Sequence, residues 1–80
     1  MENRIAVVAV IVESESAVEK VNGYFHEYRK YVVGRFGLPL HDKGISVINV
    51  VMDAPQEIIS GLSGKLGMIE GVSSKVLTAK

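Results

Sequence analysis

Residues 5–12, Ile-Ala-Val-Val-Ala-Val-Ile-Val, are dominated by β-branched side chains, which fit a pleated strand better than a helix. Alternate residues of a strand face opposite ways. Ile5, Val7, Ala9 and Ile11 would therefore share one face, and Ala6, Val8, Val10 and Val12 the other. Neither set is polar, so the strand needs cover on both sides. After Glu13 the pattern changes to a helical one. Ser16 with Glu19 three positions on has the form of a capping box. Ala17, Val18, Val21, Tyr24, Phe25 and Tyr28 then recur at helical spacing as one apolar stripe. Gly23 weakens this helix by about 1 kcal/mol relative to alanine.

Residues 31–36 predict a short second strand, and Gly37, Pro39, His41, Asp42 and Gly44 punctuate a loop after it. Residues 45–52 predict a third strand, with Ile45, Val47, Asn49 and Val51 on one face and Ser46, Ile48, Val50 and Met52 on the other. Asn49 stands out because an amide on an otherwise apolar strand needs partners. Asp53 predicts the cap of a second helix, with Pro55 in its first turn. Ile58, Ile59, Leu62, Leu66 and Ile69 form its stripe. Gly61, Gly64 and Gly67 leave its second half open to three readings: close packing, fraying or an early stop. Residues 72–78 mix Val72, Val76 and Leu77 with Ser73, Ser74 and Lys75, as an edge strand would.

The order strand, helix, strand, strand, helix, strand predicts one α+β domain over residues 1–80. It is a ferredoxin-like sandwich with both helices on one face of a four-stranded antiparallel sheet. The other face is then left open, and the two-sided apolarity of the first and third strands implies that a second copy covers it. A homo-dimer or homo-tetramer built through the sheet is the expected assembly. Size points the same way, since a domain this small buries only about 60% of the surface of its unfolded chain.

Chemistry narrows the picture mainly by exclusion. There is no cysteine, so disulfides, thiolate metal sites and thiol catalysis are excluded. His26 and His41 stand at no recognised zinc spacing, so no metal site and no cofactor are expected. The serines have no partners of a nucleophile motif, and the glycine-bearing stretches 34–37 and 61–67 match no phosphate-binding fingerprint. The expectation is a protein without catalytic activity. Nine basic and nine acidic side chains cancel, which gives no general attraction to nucleic acid. The mostly basic middle segment, with Arg29, Lys30, Arg35 and Lys43, reads as a solvated rim in preference to an anion-binding patch. The start of the chain lacks the form of a secretory signal and the apolar run 5–12 is too short to span a membrane, so a cytoplasmic location is expected.

Three stretches, Val-Gly-Arg-Phe-Gly-Leu-Pro at 33–39, Gly-Ile-Ser-Val-Ile-Asn-Val at 44–50 and Leu-Ser-Gly-Lys-Leu-Gly at 62–67 followed by Gly71-Val72, resemble the small iron-only hydrogenase system regulators. The resemblance implies a ferredoxin-like fold similar to amino-acid-binding regulatory domains and to the C-terminal domain of nickel-responsive repressors. The nickel ligands of those repressors, histidines on the second strand and a cysteine opening the third, have no counterpart in residues 32–36 and 45–47. With residue 5 already opening the first strand, no ribbon-helix-helix DNA-binding segment is expected ahead of it. By the same resemblance, a small anionic or zwitterionic ligand would meet the junction of the first strand and first helix. Glu13, Ser14, Ser16 and Ala17 are the candidate residues there, with free amides at Ala17 and Val18, and Asn49 is a further candidate. The function implied is a non-enzymatic regulatory or ligand-sensing module acting as an oligomer, with transcriptional regulation one setting for it. The alternative is a protein-interaction adaptor, for which Leu38, Pro39 and Leu40 in the predicted loop would contact a partner protein.

Overall fold

The computed structural model describes residues 2–79. Its elements are β1 (Asn3–Val12), α1 (Glu15–Glu27), β2 (Val32–Leu40), β3 (Ile45–Pro55), α2 (Gln56–Gly67) and β4 (Val72–Thr78), with short 3-10 turns at Arg29–Tyr31 and His41–Lys43. The strands form one antiparallel sheet in the order β2-β3-β1-β4. The two strands that are apolar on both faces are thus the two central ones, and β4, with its polar admixture, lies at an edge as expected.

One face of the sheet is sealed by the helices. Val8, Val10 and Val12 of β1, Val50 and Met52 of β3, Val21 of α1 and Leu62 and Leu66 of α2 are all fully buried. At about 25 cal/mol per Å² of apolar surface, this single layer supplies most of the drive to fold. The opposite face remains open: Ile5, Val7 and Ile11 of β1, Phe36 and Leu38 of β2 and Leu77 of β4 are all exposed.

Several boundaries differ from the sequence reading for identifiable reasons. The stretch expected as a loop from residue 37 is strand: β2 continues to Leu40, pairing Leu38 with Val47 and Leu40 with Ile45. Pro39 is tolerated there because β2 is an edge strand, so a missing amide hydrogen need not cost a ladder bond. A bulge at Val33, two residues against one of β3, breaks the alternation and leaves that side chain exposed. β3 runs on past residue 52 to Pro55, because Met52 and Ala54 continue its buried alternation and Ala54 pairs with Arg4. Asp53 is therefore an exposed strand residue, and Pro55 occupies the N-cap position of α2. The three glycines of α2 do not interrupt it. At Gly61 an added Cβ would lie 3.5 Å from Tyr28 Oη, an ordinary contact, and at Gly64 and Gly67 it would meet nothing within 4 Å, so close packing does not require these glycines.

Candidate functional site

The β1–α1 junction is built by three local contacts. The Glu13 amide donates to the Gly71 carbonyl at 2.8 Å, which ties the end of β1 to the entry of β4. Gly71 turns there with φ of +83°, a conformation that costs glycine least. Ser14, with extended φ and ψ, is the N-cap of α1, and its Oγ accepts from the Ala17 amide at 3.2 Å. The Val18 amide donates to the Ser14 carbonyl at 3.1 Å. Two expectations are corrected here. Ser16 is not the cap but lies in the first turn of α1, its Oγ 3.4 Å from Ser14 Oγ. The amides of Ala17 and Val18 are not free for a ligand, since the helix entry satisfies both.

Two clefts flank Ser14. The first, about 200 Å³, lies between the helix entry and the β2–β3 connection, with Ser14, Glu15, Leu40, His41 and Gly44 on its walls. The second, about 390 Å³, is bounded by Glu13, Ser14, Ser16, Lys20, Glu70 and Gly71. Its charged lining is two carboxylates and one ammonium, with two hydroxyls between. Such a lining disfavours a simple anion and suits a ligand that carries both signs.

Glu13, Ser14, Ser16 and Ala17 all border this second cleft. Asn49 does not join them: it lies near the middle of the open face, opposite Ala9 of β1 and Phe36 of β2. Nor do the three partner-contact candidates share one surface. Leu38 is exposed on the open face and Leu40, opposite Ile45 at the end of β2, shares that face at the rim of the first cleft, whereas Pro39 faces the opposite side. Lys20 and Glu70 were missed from sequence. The signal was available in the topology, because β4 pairs with β1 so that Val72 stands opposite Val12, which brings residue 70 to the head of α1.

Among the described residues no three histidines, cysteines or carboxylates gather as metal ligands, and no helix is long and apolar enough to cross a membrane.

The four-stranded antiparallel sheet with two helices on one face defines a ferredoxin-like α+β domain. The chain belongs to the TM1266-like family, described as "Iron-only hydrogenase system regulator, putative", whose model matches residues 4–76. Among solved structures it is similar to protein TM1266 from Thermotoga maritima, at 31% identity and a TM-score of 0.94 over 99% of this chain and 100% of that one. It is also similar to the ACT domain of a GTP pyrophosphokinase from Chlorobium tepidum (15% identity, TM-score 0.77, 96% of this chain and 99% of that one). A formyltetrahydrofolate deformylase from Pseudomonas putida KT2440 matches at 18% identity and a TM-score of 0.66, over 91% of this chain but only 28% of the enzyme. These last two show the fold alone. No curated protein matches the chain.

Proposed function

We propose that this protein is a non-enzymatic regulatory module that senses a small zwitterionic ligand, of the free amino acid class, and does so as a homo-oligomer joined through its open sheet face. The observation that carries the reading is the mixed charge of the cleft beside Ser14. Glu13 and Glu70 would receive an ammonium group, Lys20 a carboxylate, and the hydroxyls of Ser14 and Ser16 would complete the polar lining. The family's description as a regulator supports a signalling role over catalysis. Control of transcription is one output such a module can serve, through a partner protein, since its balanced charge gives little attraction to DNA.

A thermal-shift screen of amino acids and common metabolites tests the reading. A ligand that binds the folded state at a hundred times its Kd stabilises by about 2.7 kcal/mol, a shift that melting curves resolve easily. The expected outcome is a rise in melting temperature with at least one amino acid, lost in Glu13→Gln and in Lys20→Met. A flat screen, combined with capture of a specific protein that is lost when Leu38 and Leu40 become serine, would favour the adaptor reading instead.

A further inference from the structure

A third cleft, about 490 Å³, lies towards the other end of α1, where the helix passes over the edge strand β2. Its walls carry Asn22 and His26 from α1, Arg29 from the 3-10 turn and Arg35 from β2, above Phe25 and Val32. Arg35 is the unexpected member. It pairs with the buried Val50 and so projects to the helix side of the sheet, where an apolar residue would extend the core. Instead its guanidinium lies 5.4 Å from the centroid of the Phe25 ring and donates to Asn22 Oδ1. Arg29 donates through Nη1 to the His26 carbonyl at 2.9 Å. Each guanidinium is thereby held by one donor and keeps others of its five for a ligand. The chain has as many acidic as basic side chains, yet no carboxylate lines this cleft.

From this convergence we propose that the cleft between α1 and β2 binds a small organic phosphate, its phosphoryl group held between Arg29 and Arg35 and the rest of the molecule lying over Val32. A phosphomonoester carries about −1.5 to −2 charges at neutral pH, which matches two guanidinium groups better than a single carboxylate does. The volume falls in the range of sites for whole small molecules, about 300–1,000 Å³, and exceeds the needs of inorganic phosphate. The site is separate from the cleft beside Ser14 and holds whether or not that cleft takes an amino acid. The basic middle segment is thus more than a solvated rim: folding draws Arg29 and Arg35 into one cleft and leaves Lys43 outside its lining.

Titration calorimetry of the intact protein with adenosine monophosphate and ribose 5-phosphate tests this, with adenosine, citrate and a short DNA duplex as controls. Both phosphomonoesters are expected to bind, and adenosine at least about tenfold more weakly, because charge-assisted hydrogen bonds to the phosphoryl group dominate. Arg29→Gln and Arg35→Gln should each weaken binding about tenfold or more. Both positions are exposed, so circular dichroism should show the fold unchanged, and Glu13→Gln should leave phosphate binding intact. The proposal is overturned if neither phosphomonoester binds at millimolar concentration, or if both arginine variants bind as the parent does. Citrate or duplex DNA binding more tightly than the phosphomonoesters would overturn it equally.

Discussion

The two faces of the sheet are made from the same two central strands and the same residue types, yet they lead different lives. Along β1 the helix-side residues Ala6, Val8, Val10 and Val12 are at most 1% exposed, whereas Ile5, Val7 and Ile11 on the other side are 46%, 37% and 43% exposed. Across β3 the sealed side is uniformly apolar from Ile48 to Ala54, while the open side carries Asn49 between Val47 and Val51 and Asp53 beyond them. Phe36 and Leu38 of β2 and Leu77 of β4 extend the open apolar surface, and Lys75 interrupts it. A face meant for solvent would alternate more thoroughly with charge, and a face meant for the monomer core would hold no Asn49 or Lys75. The mixture supports the proposed association of copies through this face, with apolar area to drive it and a few polar groups that would penalise a wrong register.

The sharpest way to break this comparison is to place one carboxylate on each face. Val10→Asp buries an unpaired charge beneath the helices, and an 80-residue domain has only about 4–12 kcal/mol to lose, so this variant is expected to unfold. Val8→Asp should behave in the same way, since Val8 lies on the same side. Val7→Asp should keep native far-UV circular dichroism but dissociate the assembly, which light scattering at micromolar concentration would report. A parent protein of mass near 8.7 kDa in that measurement would remove the interface reading altogether.

A gentler pair of substitutions sharpens the same contrast. Leu62→Ala empties a fully buried position under the sheet and should cost about 2–5 kcal/mol in chemical denaturation. Leu77→Ala, on an edge strand and 74% exposed, should change the stability of the protomer by no more than about 0.5 kcal/mol. A larger loss at Leu77 that grows with protein concentration would place that side chain within the interface and extend the covered area to β4.

What the sequence made legible follows from this arrangement. Strand and helix order, the edge position of β4 and the two-faced apolarity of β1 could be read because each rests on a periodicity several residues long. The end of β2 could not, because Gly37 and Pro39 are turn residues by local propensity, and only pairing with β3 keeps them extended. The cap of α1 went to Ser14 in place of Ser16 because the helix starts directly after the β1–α1 junction, where the extended Ser14 accepts from the Ala17 amide, and the spacing of Ser16 and Glu19 mimicked a capping box one half-turn too late. At the clefts, Glu13, Ser14, Ser16 and Ala17 at the β1–α1 junction were recognisable, but Lys20 one turn further along α1, Glu70 and the meeting of Arg29 with Arg35 depend on tertiary neighbours. No local pattern reveals that Arg35, though exposed, stands on the helix side of the sheet against the Phe25 ring.

The smallest expected effect belongs to the outer seam of the helix layer, where burial gives way to charge. Lys65 of α2 donates to Glu27 Oε2 of α1 at 2.8 Å, and its ammonium lies 5.0 Å from the Tyr28 ring centroid and 5.6 Å from that of Tyr24. Hydrogen bonding to Glu27, and then to Tyr28, holds its pKa above the ordinary lysine value. A raised pKa in the folded state means that folding binds this proton more tightly. The contribution is therefore fully present below the ordinary lysine pKa and is lost as pH climbs through the raised one. Both partners are exposed, at 43% and 56%, so solvent and salt screen the pair strongly. Lys65→Met should accordingly lower the melting temperature only slightly and by a constant amount around neutral pH. The difference should narrow in strongly alkaline buffer, and it should also shrink in high salt. A gap that persists unchanged in both would mean that the aliphatic stem of Lys65 over Tyr24 and Tyr28, and not its charge, joins the two helices.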